Sequence, residues 1–206
     1  MPKLTYNAEK HWYYIDDIWV PSVTQIISPL NDFDKIPEKI LANKCDWGSK
    51  IDEMCEYYMS GCLDEESISD AQKRVLEQFN RFIALEGQGF DFEAAVTKYR
   101  GCNVRLKYAG ESDIIIPDQA VIDIKTRALN KLTDPLQLTG YNNIYDDKTD
   151  YEHWILSLFE DKYTFKQVNK TKSGRKQSYS RFRYMLDKVW SDIEFKQKIK
   201  TWKEKK

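Results

Sequence analysis

The sequence predicts a mixed α/β fold in which helices flank a central β-sheet that contains an antiparallel meander. The first observation is a change of period: apolar residues recur at helical spacing in the first 90 residues and alternate from Phe90 onward. The second is the order of elements, because further helical patterns interrupt and follow the strands. Together these observations predict an α/β or α+β domain built around a mixed sheet.

The composition is that of a globular protein. The chain has 206 residues, of which 41% are hydrophobic and 32% charged, and its mean hydropathy is −0.68. It has no stretch near the roughly 20 apolar residues of a membrane helix, and its first 13 residues lack the apolar run of a secretory signal. We therefore expect a single cytoplasmic domain over residues 1–206, with no membrane association.

The first 90 residues are expected to form a small hairpin followed by helices. Pro21 ends the last strand, and Ser22 is placed to cap a short helix. Pro37 suits the first turn of a second helix, and Gly61 ends a longer third one. The predicted strands span residues 4–6, 12–15 and 19–20, and a fourth helix spans residues 69–85.

Residues 91–168 are expected to form the sheet, and residues 169–206 a basic extension. Gly101, Gly110 and Pro117 separate the first four strands. The predicted strands span residues 92–99, 103–108, 112–116, 120–126, 151–159 and 163–167. A helix is predicted over residues 135–145, a basic loop over residues 169–177 and a helical region over residues 178–200.

The tripeptide Asp123-Ile124-Lys125 is the most informative segment. Alternate residues of a strand project from the same face, so the Asp123 and Lys125 side chains should stand side by side. Their apolar neighbours indicate a central, buried strand, where unpaired charges are costly. The two groups could form a structural ion pair or serve a ligand, and the tripeptide alone favours the ion pair.

A second carboxylate is expected beside this pair. Asp113 lies ten residues before Asp123, and a hairpin that turns at Pro117 and Asp118 would bring the two together. Two such carboxylates repel each other unless a cation lies between them. Carboxylate oxygens suit Mg²⁺ or Mn²⁺.

Three further features accompany these residues. The small-residue segment Ala109-Gly-Glu-Ser precedes Asp113. Gln137 and Tyr141 are four apart on one helix face. Asp52 follows the small residues Gly48 and Ser49 in its predicted helix. In this order and spacing the chain resembles the PD-(D/E)XK nuclease superfamily. It looks most like the RecB-like and phage-exonuclease branch, over roughly residues 20–141.

The resemblance implies a restriction-endonuclease-like core and metal-dependent hydrolysis of DNA phosphodiester bonds. Asp113 and Asp123 match the metal-binding acids of the family, and Lys125 matches its catalytic lysine. The backbone carbonyl of Ile124 would complete the coordination of Mg²⁺ or Mn²⁺. Family members with an iron–sulfur cluster use C-terminal cysteines, and because no cysteine follows Cys102 we expect no cluster here.

The remaining catalytic positions also come from the resemblance. Gln137 and Tyr141 match the QxxxY motif, which assists the active site and contacts the nucleic acid. Glu93, on the first predicted strand of the meander, matches an upstream acidic position.

One position departs from the family. Asp52 stands where many relatives carry a metal-ligating histidine. Aspartate can ligate a hard cation, so the departure does not exclude activity. Glu53 and Glu56 are the alternatives for this additional ligand.

The C-terminal quarter is strongly basic. Residues 162–206 hold 15 basic and 4 acidic residues, a net charge of +11, whereas the first 161 residues carry −12. Such asymmetry indicates a polyanionic partner or a solvated tail. The candidate DNA-binding residues are Lys170, Lys172, Arg175, Lys176, Arg181 and Arg183.

These features predict a metal-dependent deoxyribonuclease, and an exonuclease in particular, that acts in phage-type recombination or DNA processing. The expected setting is the cytoplasm of a bacterium or of a phage-infected cell. By analogy a recombinase or a single-strand-binding protein is a candidate partner. The alternative is a catalytically silent module that keeps the fold and binds nucleic acid. A structural protein with a buried ion pair is a third reading.

Overall fold

A computed structural model describes residues 2–31, 35–146 and 150–204, and for residues 194–204 it describes the backbone alone. The basic side chains beyond residue 193 therefore lie outside the described residues. The strands are β1 (Leu4–Asn7), β2 (Trp12–Ile15), β3 (Ile18–Val20), β4 (Val96–Asn103), β5 (Tyr108–Ile116), β6 (Ala120–Lys125), β7 (Glu152–Leu158) and β8 (Tyr163–Val168). The helices are α1 (Val23–Ile27), α2 (Glu38–Met59), α3 (Asp70–Leu85), α4 (Asp134–Tyr145) and α5 (Lys172–Glu204).

The N-terminal strands form a separate antiparallel sheet in the order β1-β2-β3. Ser22 caps α1 as predicted, since its hydroxyl accepts from the Gln25 backbone N–H at 3.1 Å. The Gln25 side chain accepts in return from the Ser22 backbone N–H at 2.9 Å. This capping box fixes the direction in which the chain leaves the small sheet and enters the core.

The central sheet has five strands in the order β4-β5-β6-β7-β8. All neighbours are antiparallel except β6 and β7, which are parallel and are joined by the crossover helix α4. The predicted mixed α/β architecture, with an antiparallel meander and flanking helices, is confirmed.

Helices cover both faces of this sheet. On one face α1, α4 and α5 pack against residues such as Tyr108, Val121 and Ile155. On the other face α2 and α3 pack against Ile114, Ile122 and their neighbours. The alternation of β6 sends Val121 and Asp123 to the first face and Ile122 and Ile124 to the second. Among the described residues, no helix combines the length and the apolar character needed to cross a membrane.

The prediction of two helices between residue 37 and Gly61 is wrong, because α2 is one helix of 22 residues. Pro37 precedes its first turn, and no proline follows within it. A glycine such as Gly48 destabilises a helix interior by only about 1 kcal/mol relative to alanine, which is too little to break the helix. The chain leaves the helix through Gly61, whose φ of +69° favours glycine.

The meander has three strands where four were predicted. The segment predicted as a strand over residues 103–108 is the turn between β4 and β5, because the Asn103 side chain accepts from the Leu106 backbone N–H at 3.0 Å. The predicted basic loop over residues 169–177 is also mostly helical, since α5 begins at Lys172.

Candidate active site

Three charged side chains lie in a row across the central sheet. The register of β4 on β5 puts Lys98 opposite Asp113, and the register of β5 on β6 puts Asp113 opposite Asp123. Regular pairing between β5 and β6 stops at Ile114 and Ile122, one position before the two aspartates. The strands therefore part where these carboxylates meet, which leaves room for their side chains.

Asp113 is the centre of this row. Its Oδ1 accepts from Lys98 Nζ at 2.8 Å, and its Oδ2 accepts from the Ile124 backbone N–H at 2.8 Å. Burial alone would raise the pKa of Asp113, but Lys98, Lys125 and the two hydrogen bonds outweigh burial and lower it. Asp113 is therefore held as a carboxylate.

Asp123 and Lys125 stand side by side on β6, as the alternation of a strand predicts. Asp123 Oδ2 lies 2.5 Å from Lys125 Nζ, and the Asp123 side chain is 2% exposed. This oxygen accepts no hydrogen bond of normal geometry from the described residues. Burial raises the pKa of Asp123 to about 7, against the opposing charge of Lys125. The same oxygen is thus buried, and its one close partner in the described part of the chain is the Lys125 ammonium.

Asp52 reaches the row from α2. Its Oδ2 lies 3.9 Å from Lys98 Nζ. Burial, followed by the charge of Asp113, raises the pKa of Asp52 to about 8. Glu53 and Glu56 line the same cavity, and Glu56 lies one helical turn after Asp52 on the same face of α2.

Gln137 and Tyr141 enter from α4. Both are buried, and Gln137 Nε2 donates to the Tyr141 hydroxyl oxygen at 2.8 Å. Burial and the nearby Asp123 carboxylate raise the pKa of Tyr141 well above its ordinary value, so the phenol is neutral. The spacing of four residues brings both side chains to the cluster on one helix face.

These groups line a cavity of about 620 Å³. Its far wall comes from the N-terminal sheet, whose Tyr6, His11 and Tyr13 were absent from the sequence hypothesis. Period-two alternation placed the strands correctly, but no local pattern indicates that this separate sheet faces residues a hundred positions later. Lys98, which also lines the cavity, was likewise absent from the sequence hypothesis.

The donor set fits a hard divalent cation. Asp113 and Asp123 offer carboxylate oxygens, the Ile124 carbonyl belongs to the same strand as Asp123, and Asp123 Oδ2 is a buried oxygen that, among the described side chains, is held by the Lys125 ion pair alone. Within the described residues no three acidic, His or Cys side chains already converge as a metal centre. Instead, ammonium groups of Lys98 and Lys125 neutralise the carboxylates.

Glu93 is not part of the site. It is exposed in a turn before β4, which begins at Val96, and it does not line the cavity. The strand starts late because Phe92 packs its ring against Phe82 and Phe90, with centroids 5.8 Å and 6.1 Å away. The assignment of Glu93 to the first strand was wrong.

The basic residues of the C-terminal region lie elsewhere on the molecule. None of the six, all within the described part of the chain, lines the cavity around Asp113 and Asp123. Lys172, Arg175 and Lys176 line a second cavity of about 580 Å³ beside α4. Arg175 is held there by Asp150, through Nη2 and Oδ2 at 2.9 Å. Lys170, Arg181 and Arg183 project from the loop before α5 and from α5 itself.

No protein-family model matches this chain, and no curated protein matches it in sequence. Among solved structures, a Eubacterium rectale protein described as "Putative exonuclease" has a TM-score of 0.49 and 10% sequence identity to it. The superposition covers 69% of this chain and 66% of the other, just under two thirds of that protein's length. At this level the likeness carries no argument about activity, so the function has to be inferred from the site.

Proposed function

We propose that this protein is a metal-dependent deoxyribonuclease of the PD-(D/E)XK type, and an exonuclease of the RecB-like and phage branch. The observation that carries the proposal is the row of Asp113 and Asp123 at the point where β5 and β6 part, with Lys125 Nζ 2.5 Å from Asp123. An acid pair and a lysine in this arrangement suit phosphodiester hydrolysis.

Asp113, Asp123 and the Ile124 carbonyl would hold Mg²⁺ or Mn²⁺. When bound, the ion polarises a phosphate oxygen and lowers the pKa of its water. Lys125 orients the attacking water and stabilises the charge that develops on the scissile phosphate. The bond from Gln137 fixes the Tyr141 hydroxyl in the cavity wall, where it can contact the substrate. Products with a 5′-phosphate and a 3′-hydroxyl are expected from the family resemblance.

The basic face of α5 would bind the DNA backbone away from the chemistry. Lys172 and Lys176 are exposed beside the second cavity, whereas Arg175 is engaged with Asp150. Electrostatic contacts of this kind position a duplex without reading its sequence. The substrate would be DNA. The same proposal includes a recombinase or a single-strand-binding protein as a protein partner, in a bacterium or a phage-infected cell.

A silent DNA-binding module is the second candidate. Its support is Lys98, whose ammonium lies between Asp52 and Asp113 where a cation would bind. A site neutralised in this way could keep the fold without the reaction.

A cleavage assay separates the two candidates. End-labelled linear DNA and covalently closed circular DNA would be incubated with Mg²⁺, Mn²⁺ or EDTA. We expect metal-dependent loss of the linear substrate alone, and abolition of that loss by Asp123→Asn. The matched control is Asp118→Asn, an exposed aspartate at φ +58° in the β5–β6 turn.

Cutting of the circle would replace the exonuclease proposal by an endonuclease one. If neither substrate is cut although the DNA is bound, the silent module becomes the correct function. Equal rates for Asp123→Asn and the parent would refute the site assignment.

A further inference from the structure

Lys98 has an unusual backbone for its position. It lies in the middle of β4 with φ +49°, in the left-handed region that disfavours every residue with a Cβ. The register on either side is unbroken, since Thr97 pairs with Ile114 and Tyr99 with Ser112. The distortion is therefore confined to one residue, and it directs a lysine into the site. Backbone strain of this kind is found where a side chain is needed for function.

The Lys98 ammonium joins two elements. It donates to Asp113 Oδ1 at 2.8 Å and lies 3.9 Å from Asp52 Oδ2, and its side chain is 19% exposed. Asp113 and Asp52 come from β5 and α2. Burial and the charge of Asp113 favour the protonated form of Asp52, so both acids are ionised together only when a cation lies between them. Lys98 supplies that cation from the protein itself.

The lysines divide the carboxylates into two halves. Lys125 contacts Asp123, whereas Lys98 serves Asp113 and Asp52. Asp123 Oδ2 lacks a satisfactory hydrogen bond, but both oxygens of Asp113 have one. Each half therefore contains one ammonium, but Lys98 occupies the position between Asp52 and Asp113, whereas the buried Oδ2 of Asp123 has, of the residues described, the Lys125 ion pair alone.

We propose that Lys98 takes the place of a second metal ion between Asp52 and Asp113, so that the site binds a single divalent cation on the Asp123 side. This inference rests on the proposed function. It makes Asp52 a partner of Lys98 and not a metal ligand, which gives the departure from the family's histidine a physical role. Removing the ammonium should leave two facing carboxylates that a second ion can bridge.

The test counts bound Mn²⁺ on the full chain, without DNA, by the electron paramagnetic resonance signal of the free ion. We expect one ion per chain for the parent and two for Lys98→Met. A second variant, Lys98→Gly, removes the ammonium and also relieves the left-handed strain, so it should fold well and bind two. Lys98→Met combined with Asp52→Asn should return the count to one.

The matched control is Lys107→Met. Lys107 is also left-handed, at φ +55°, but it is exposed in the turn between β4 and β5. The Lys107→Met variant should bind one ion, like the parent. Two ions on the parent, or one on both Lys98 variants, would overturn this inference and leave the proposed function intact. No ion on the parent would overturn the proposed function, and this inference with it.

Discussion

At the scale of single residues, the site is a balance of charges in a poorly solvated space. The negative charges of Asp113, Asp123 and Asp52 are offset by the ammonium groups of Lys98 and Lys125. Each of these side chains is at most one fifth exposed, except that of Asp52. Burial penalises all of these charges, so each one depends on its neighbour. The pKa of Asp113 is lowered and that of Asp123 is raised although both are aspartates. Asp113 has the charges of Lys98 and Lys125 beside it and two hydrogen bonds, whereas Asp123 has Lys125 and is repelled by Asp113.

Lys125→Met is expected to reduce cleavage by about 100-fold or more, because the charge on the scissile phosphate loses its stabilising ammonium. It should also destabilise the metal-free protein by about 1–2 kcal/mol. This is less than the usual 3–5 kcal/mol for breaking a buried pair, since Asp123, with a pKa of about 7, can take up a proton. Single-turnover rates and urea unfolding measure the two effects.

The control is Lys166→Met, an exposed lysine on β8. It should change neither quantity. If Lys125→Met cleaves DNA at the parental rate, Lys125 has no catalytic role.

At the scale of elements, α4 is the helix that connects the core to the site. It is buried along most of its length and carries Gln137 and Tyr141 on the side of the cavity. Its Gly140 carbonyl accepts from the Tyr108 hydroxyl at 3.0 Å, and α1 and α5 close over the same point. A glycine is required there because of this close approach.

Gly140→Ala tests this packing. A Cβ at this position would lie 2.8 Å from Val23 Cγ1 and 2.9 Å from Phe182 Cε2. Overpacking costs about 1–3 kcal/mol and outweighs the gain of about 1 kcal/mol that alanine brings to a helix. We expect a net loss of about 1 kcal/mol in urea unfolding. Gly89→Ala, which meets nothing within 4 Å, should leave stability unchanged, and greater stability in Gly140→Ala would contradict the packing argument.

At the scale of the whole molecule, a buried histidine joins α4, β7 and the loop before α5. His153 on β7 donates from Nε2 to Asn142 Oδ1 of α4 at 3.1 Å, and its Nδ1 accepts from Asn169 Nδ2 at 3.0 Å. Burial, followed by the charge of Arg175, lowers the pKa of His153 to about 4, although Asp150 opposes the shift. A protonated ring would also direct a second N–H at the Asn169 amide.

The pH dependence of stability follows from this depressed pKa. The unfolded chain takes up the proton near pH 6.5, whereas the folded chain does so near pH 4. The contribution is therefore fully present above pH 6.5 and is lost as the pH falls towards 4. Between pH 7.5 and pH 5 we expect the parent to lose about 2 kcal/mol more than His153→Gln.

Urea unfolding of both proteins at both pH values measures this difference. Groups that titrate alike in the parent and the variant cancel in the comparison. The control is His11→Asn at the other, exposed histidine, which should lose as much as the parent. Equal losses for the parent and His153→Gln would show that His153 is charged in the folded protein.

Local patterns were sufficient for much of the fold and part of the site. The Ser22 cap, the strand β6 and the pairing of Asp123 with Lys125 depend on residues at most a few positions apart. The placement of Gln137 beside Tyr141 also follows from helical spacing. Secondary-structure periods determine these features before any long-range contact forms.

Only the tertiary structure decided which distant elements meet at the sheet. The late start of β4 removes Glu93 from the site, and the register of β4 on β5 brings Lys98 to Asp113. The packing of α2 against the sheet adds Asp52. These contacts join residues 15 and 46 positions apart. They depend on how apolar side chains such as Phe92 and its neighbours pack. The sequence by itself determined the acids and the lysine of β6, whereas tertiary packing decided which cations neutralise them.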